Sequence, residues 1–284
     1  MQNIRRSPEV LDAYLRAFGG APSRELDRLC AQKDAHTSRL FWFTDLGEAL
    51  AHARRTKKPI LSLRLLGRLD EELSCANSRF FRKLLYPDAQ INRVMREQYV
   101  LHWQSVRAVP KVTIDFGDGR RVERTLTGNS AHLVLDWRGR PVDVLPGLFD
   151  RDTFLMLLEQ ANTFAEADRR ELAPMHARAR GPLLPDVMPS RAVLASRIAA
   201  TKHIMEMPLL RAVKSDVDGD TRTNLELHDR IHEAFAMGAE WAGIAGLVEW
   251  VYAELFEMPL HDAALGLDVP DPFDVNDFAA RATA

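Results

Sequence analysis

Val10, Leu11, Tyr14, Leu15 and Phe18 recur three and four apart, the spacing of one helical face, and Gly19-Gly20 ends the pattern. A shorter helix over 25 to 33 places Leu26, Leu29 and Cys30 together. Asp45 followed by Glu48 forms a capping box, and Leu46, Ala49, Leu50 and Ala53 supply the apolar stripe of the helix it opens. The basic run RRTKK closes that helix and suits its C-terminal dipole. The period then changes. PILSLRLL is an apolar run of strand length, and after Cys75 the segment SRFFRKLL returns to helix until Pro87 stops it. Asp88 caps the next helix, with Ile91, Val94 and Met95 on one face.

YVLHW predicts a second strand. KVTIDFGDGRRVERTLTG predicts a hairpin turning at Asp118-Gly119, and AHLVLDWRGRPVDVLPG predicts another turning at Arg138-Gly139. A helix follows over 150 to 170, through Phe154, Leu155, Leu158 and Ala161. Helices alternating with strands predict an α/β layer in which the first two strands run parallel and the last two antiparallel. Beyond the Pro-rich RARGPLLPDVMPS the pattern predicts helices over 191 to 205, 223 to 236 and 239 to 256, separated by Pro208, SDVDGD and Pro259. The last is largely apolar and must bury against the rest. Three units result: an N-terminal helical extension over 1–38, an α/β domain over 39–170 and an all-helical C-terminal region over 171–284.

Composition narrows the classes. Of 284 residues 46% are hydrophobic and 27% charged, as in a globular protein, and a net charge of −2 argues against a nucleic-acid binder. The N-terminus lacks the apolar core of a secretory signal, and no apolar run is long enough to span a bilayer, so a cytoplasmic protein without membrane partners is expected. Two cysteines are too few for a disulfide scaffold.

One of them falls in LDEELSCANSRFF, just after the predicted strand and at a helix start. Orphan N–H groups and the dipole stabilise a thiolate there. Ser78, three positions on, is placed to donate a hydrogen bond to that thiolate, while Asp70, Glu71 and Glu72 upstream would raise its pKa.

The order of elements and this cysteine resemble the thioredoxin fold, over roughly residues 40 to 165. KKPILSLRLL resembles the strand, SCANSRFF the active-site turn, and SAHLVLDWRGRPVDVLPG the last two strands. The resemblance implies a thioredoxin-like mixed sheet flanked by helices. This sequence departs from the family in having Cys-x-x-Ser, in carrying Ala131 where a cis-proline is expected, and in its longer acidic GRLDEEL link. With Ser78 in place of a second cysteine, the implied activity is single-cysteine thiol–disulfide exchange at Cys75, with glutathione or a protein disulfide as partner and no cofactor. His132 would be the base, and Asn77, Asn129, Ser130 and Ala131 would line the substrate side. The alternative is a redox-inactive binding protein that uses the same loop edge.

A third class rests on HDRIH, which puts His228 and His232 four apart on one helical face. That spacing suits a metal, and it resembles the zinc-protease motif with Asp229 in place of glutamate; two polar residues bordering a core face is the simpler reading. DVDGDTRTNLEL starts like a calcium loop but has Thr221 where glycine is needed and Leu227 where glutamate is needed, so it reads as an exposed acidic turn. DFG at Asp115 is a hairpin turn.

Overall fold

The computed structural model describes residues 6–125, 128–180, 212–263 and 265. The predicted helix over 191 to 205 lies outside them. Strand β1 (Ile60–Leu66) is the apolar run PILSLRLL, and all seven residues are buried. A strand covered on both faces has no solvent side to alternate with, which is why its sequence reads as continuous. It pairs in parallel with β2 (Val100–Arg107) and antiparallel with β5 (Ser130–Leu135), which pairs antiparallel with β6 (Pro141–Pro146). The mixed sheet therefore runs β2-β1-β5-β6. In this register Leu63 sits between Trp103 and His132. Phe43 adds a single parallel bridge to His102 beyond β2.

Helices flank the sheet. They are α1 (Pro8–Phe18), α2 (Arg24–Cys30), α3 (Leu46–Thr56), α4 (Ala76–Phe80), α5 (Ala89–Gln98) and α6 (Arg151–Glu166). They are followed by α7 (Arg169–Ala179), α8 (Ala212–Ala236) and α9 (Gly243–Trp250). Asp45 accepts from the Glu48 N–H at the start of α3, and Asp88 accepts from the amides of Gln90 and Ile91 at α5, as their sequence positions predict. The hairpin β3 (Lys111–Asp115) and β4 (Arg121–Thr125) forms a separate two-stranded sheet that turns through Gly119 at φ 90°.

Three stretches differ from expectation. SRFFRKLL is not one regular helix: α4 passes into a π-helical turn over Phe81–Leu85, closed by the Tyr86 N–H on the Phe81 carbonyl at 2.8 Å. Helix formation resumes at Asp168 and runs to Ala179 with Pro174 inside it, well past the predicted end at 170. SDVDGD is neither a break nor an exposed turn but part of α8. Three polar residues at and just after the end of that run face inward. Asp220, Thr221 and Asn224 are buried, Thr221 Oγ1 accepts from the Asp150 N–H at 2.7 Å, and Asn224 donates to the Leu148 carbonyl at 2.7 Å. Those tertiary bonds compensate for sequence that disfavours a helix.

One apolar core joins the sheet to both its helical layers and takes in Leu227, Ile231, Leu247, Val251 and Tyr252. The C-terminal helices thus bury against the α/β layer as their apolar pattern requires. A smaller cluster under α1 and α2 holds Leu11, Leu26, Leu29, Cys30 and Ala35. No helix among the described residues is long and apolar enough to cross a membrane.

Candidate functional site

Beyond β1 the chain turns at Gly67, whose N–H donates to the Arg107 carbonyl, and returns so that the Cys75 N–H donates to the Leu66 carbonyl at 3.3 Å. Cys75 is thereby fixed at the N-cap of α4, where its side chain makes no capping bond. The placement at a helix start agrees with the sequence; the exposure that thiol exchange needs is absent. Cys75 is 0% exposed. Gly128 covers it so closely that a Cβ there would lie 2.5 Å from the Cys75 Cβ and 2.8 Å from the Ala76 nitrogen. Behind this roof the Tyr252 hydroxyl donates to the carbonyls of Asn129 (3.1 Å) and Arg64 (3.2 Å), tying the C-terminal region to the loop. Both cysteines are free thiols, and burial, reinforced by Asp27, pushes Cys30 up to about 12.

The neighbours expected around the sulfur have other partners. The Ser78 hydroxyl is directed at Ser74 Oγ (2.6 Å) and the Cys75 carbonyl (2.8 Å), so it braces the first turn of α4 instead of the thiol. His132 is a core histidine. Its Nε2 meets the Tyr86 hydroxyl at 2.8 Å, its ring packs on Phe81 and Phe154, and its Nδ1 has no hydrogen-bond partner. Burial pushes its pKa down to about 3, which holds the ring neutral. Asn77, Asn129, Ser130 and Ala131 are all buried, and Asn77 donates to Ser130 Oγ at 3.2 Å. They form the joint between α4 and β5, not an open substrate edge. The acids of GRLDEEL are turned outward, where Arg68 pairs with Asp70 (2.8 Å) and Glu71 (3.4 Å).

Sequence reasoning missed Arg82, Tyr86 and Tyr252. The Arg82 side chain is fully buried, and its guanidinium reaches Ser74 Oγ, the Ser78 carbonyl and Asp34. Burial lowers its pKa, and Asp34 partly restores it. Burial pushes the phenols of Tyr86 and Tyr252 well up, and both also feel the Cys75 sulfur. Arg82 stands seven residues after Cys75, two helical turns away on one face, and that spacing was the available signal.

A second polar cluster lies where β6 meets α7 and α8. His228 and His232 are both buried on α8 with ring centroids 4.2 Å apart, yet each is engaged elsewhere. His228 Nε2 lies 3.0 and 3.2 Å from the two Asp143 carboxylate oxygens. His232 Nδ1 lies 2.7 Å from His176 Nδ1, and His176 Nε2 donates to the Val142 carbonyl at 2.9 Å. Burial opposes ionisation of Asp143, but the charge and hydrogen bond of His228 outweigh it and hold the carboxyl below its ordinary range. Burial pushes His232 down to about 3. No sequence spacing links Asp143 and His176 to the HDRIH pair.

The β3–β4 hairpin has the opposite character. Val112, Ile114 and Phe116 alternate along one side of it at 37, 45 and 55% exposure, with Val122 paired opposite Ile114. No protein-family model matches the chain, and no curated protein matches it significantly.

Proposed function

We propose that the chain is a redox-inactive, thioredoxin-like binding protein that engages a protein partner through the β3–β4 hairpin. The thioredoxin-like reading is supported by the strand order β2-β1-β5-β6, with Cys75 opening the helix after β1 and an antiparallel pair before α6. The observation that carries the binding reading is the complete burial of Cys75 beneath Gly128. A thiol must reach a disulfide in line to attack it, and no partner sulfur can approach this one without displacing the roof. The buried loop edge offers no contact surface either. Three apolar side chains left in water along one side of a hairpin are what a partner would cover.

Native-state alkylation with peptide mapping tests the closed site. Cys75 stays unmodified until the protein unfolds, and no mixed disulfide with glutathione accumulates. Labelling of Cys75 in the folded protein at the rate of a free thiol removes the reading.

One observation favours a second reading, single-cysteine thiol exchange: a buried cation, the Arg82 guanidinium, is held against the first turn of α4 by Ser74 Oγ and the Ser78 carbonyl, close to where the sulfur sits. In that case the 128–130 segment lifts and the thiolate attacks a glutathione disulfide. A mixed disulfide forms and glutathione thiolate leaves. Rapid native labelling together with that adduct would select this reading over the first.

A further inference from the structure

The buried cluster at β6 goes beyond either reading. Asp143, His176 and His232 each offer one ligand atom, and the three atoms lie within 4.8 Å of one another. In a tetrahedral site, zinc–nitrogen and zinc–oxygen bonds of roughly 2.0–2.2 Å hold any two ligand atoms about 3.3–3.6 Å apart. The two Nδ1 atoms, 2.7 Å apart, part by about 0.7 Å and a separation at the 4.8 Å limit closes by about 1.4 Å when the ion binds, movements that side-chain rotation supplies.

The hydrogen bonds fix which atoms face the centre. The Val142 carbonyl can only accept, so His176 Nε2 carries the proton and its Nδ1 presents a lone pair. His232 Nδ1, 2.7 Å away, must then hold the proton shared between them. Two imidazole nitrogens thus converge on one proton, and a cation that displaces it binds both. A backbone carbonyl on the remote N–H of one ligand, and His228 on the Asp143 carboxylate, are the outer contacts that orient metal ligands. Phe164 and Phe235 pack on the His176 ring at 4.4 and 4.6 Å and screen the site from bulk water. Two imidazoles and one carboxylate suit a borderline divalent ion such as zinc and do not suit calcium or magnesium, which take oxygen ligands.

We propose that Asp143 of β6, His176 of α7 and His232 of α8 bind one divalent transition-metal ion of the zinc class, which clamps α7 and α8 to the edge of the sheet. The sequence pair His228/His232 is thereby divided: His232 is a ligand, and His228 positions the carboxylate. Three protein ligands leave one tetrahedral position for water.

The test uses the full chain without a polyhistidine tag, stripped by chelator and then titrated with zinc or cobalt(II). The expected result is one equivalent of zinc retained after dialysis, a raised melting temperature and a tetrahedral cobalt absorption band. His176→Gln and His232→Gln lose all three, whereas His228→Gln keeps the site with affinity lowered about 10- to 100-fold. Imidazole nitrogen NMR of the unmutated protein covers the case in which the variants do not fold: zinc must shift the Nδ1 resonances of two histidines. Retention well below one equivalent with no change in melting would overturn the proposal. So would zinc bound without those Nδ1 shifts, or bound equally by the glutamine variants.

Discussion

Gly128 packs on Cys75 with no room for a methyl group: a Cβ would stand 2.5 Å from the cysteine's own. The constraint is steric. Gly128→Ala is expected to cost about 1–3 kcal/mol, the usual range for overpacking a filled site. It should also raise the alkylation rate of Cys75 while leaving that of Cys30 unchanged. Chemical denaturation and peptide-resolved labelling measure the two effects, and an unchanged midpoint would show that the roof is already loose.

Tyr86 supplies the bond to His132 Nε2, while His132 Nδ1 has none. Tyr86→Phe therefore leaves both nitrogens of a buried ring without a hydrogen bond. A loss of about 1–3 kcal/mol is expected by denaturant titration. A change under about 0.5 kcal/mol would mean that the ring finds another partner.

Acid should unfold the protein early. His102, His132 and His232 are each pushed down to about 3, in every case chiefly by burial. Between about 6.5, the unfolded value, and 3 the unfolded chain binds protons that the folded chain refuses. Stability is thus full above pH 6.5 and falls as the pH drops through that window, by up to about 1.4 kcal/mol per pH unit for each ring. Against a typical total of about 5–15 kcal/mol, three such rings suffice to bring the transition near pH 4–5. Melting temperatures at pH 7, 6 and 5 check this, and a flat profile would contradict the burial of these histidines.

The hairpin should respond differently. Ile114→Ser with Phe116→Ser removes apolar surface already in water, so stability is expected to stay within about 0.5 kcal/mol. Partner binding, or self-association if the partner is a second copy, should be lost. Sedimentation of the purified protein and affinity measurement against a captured partner separate those outcomes, and unchanged binding would clear the hairpin of the role.

Much of the fold was legible because the signals are local. Asp45 and Asp88 announce α3 and α5 through bonds made within three residues, and the unbroken apolar run of β1 announces a strand covered on both faces. The same local reading placed Cys75 at a helix start. It did not give the burial, because Gly128 and Tyr252 reach the site from far along the chain. DVDGDTRTNLEL misled for the same reason: its polarity signals water until Asp150 and Leu148 are brought alongside Thr221 and Asn224. The spacing of His228 and His232 identified their shared face but not the Asp143 and His176 across from it.

The hydroxyl of Tyr252 rests on carbonyls at the end of β1 and just before β5. The C-terminal region thus closes the seam between the two strands with one of its own side chains. Truncating the protein ahead of α8 would unplug the seam and at once wet the core it seals, so a vacant version of this domain would be a sticky one.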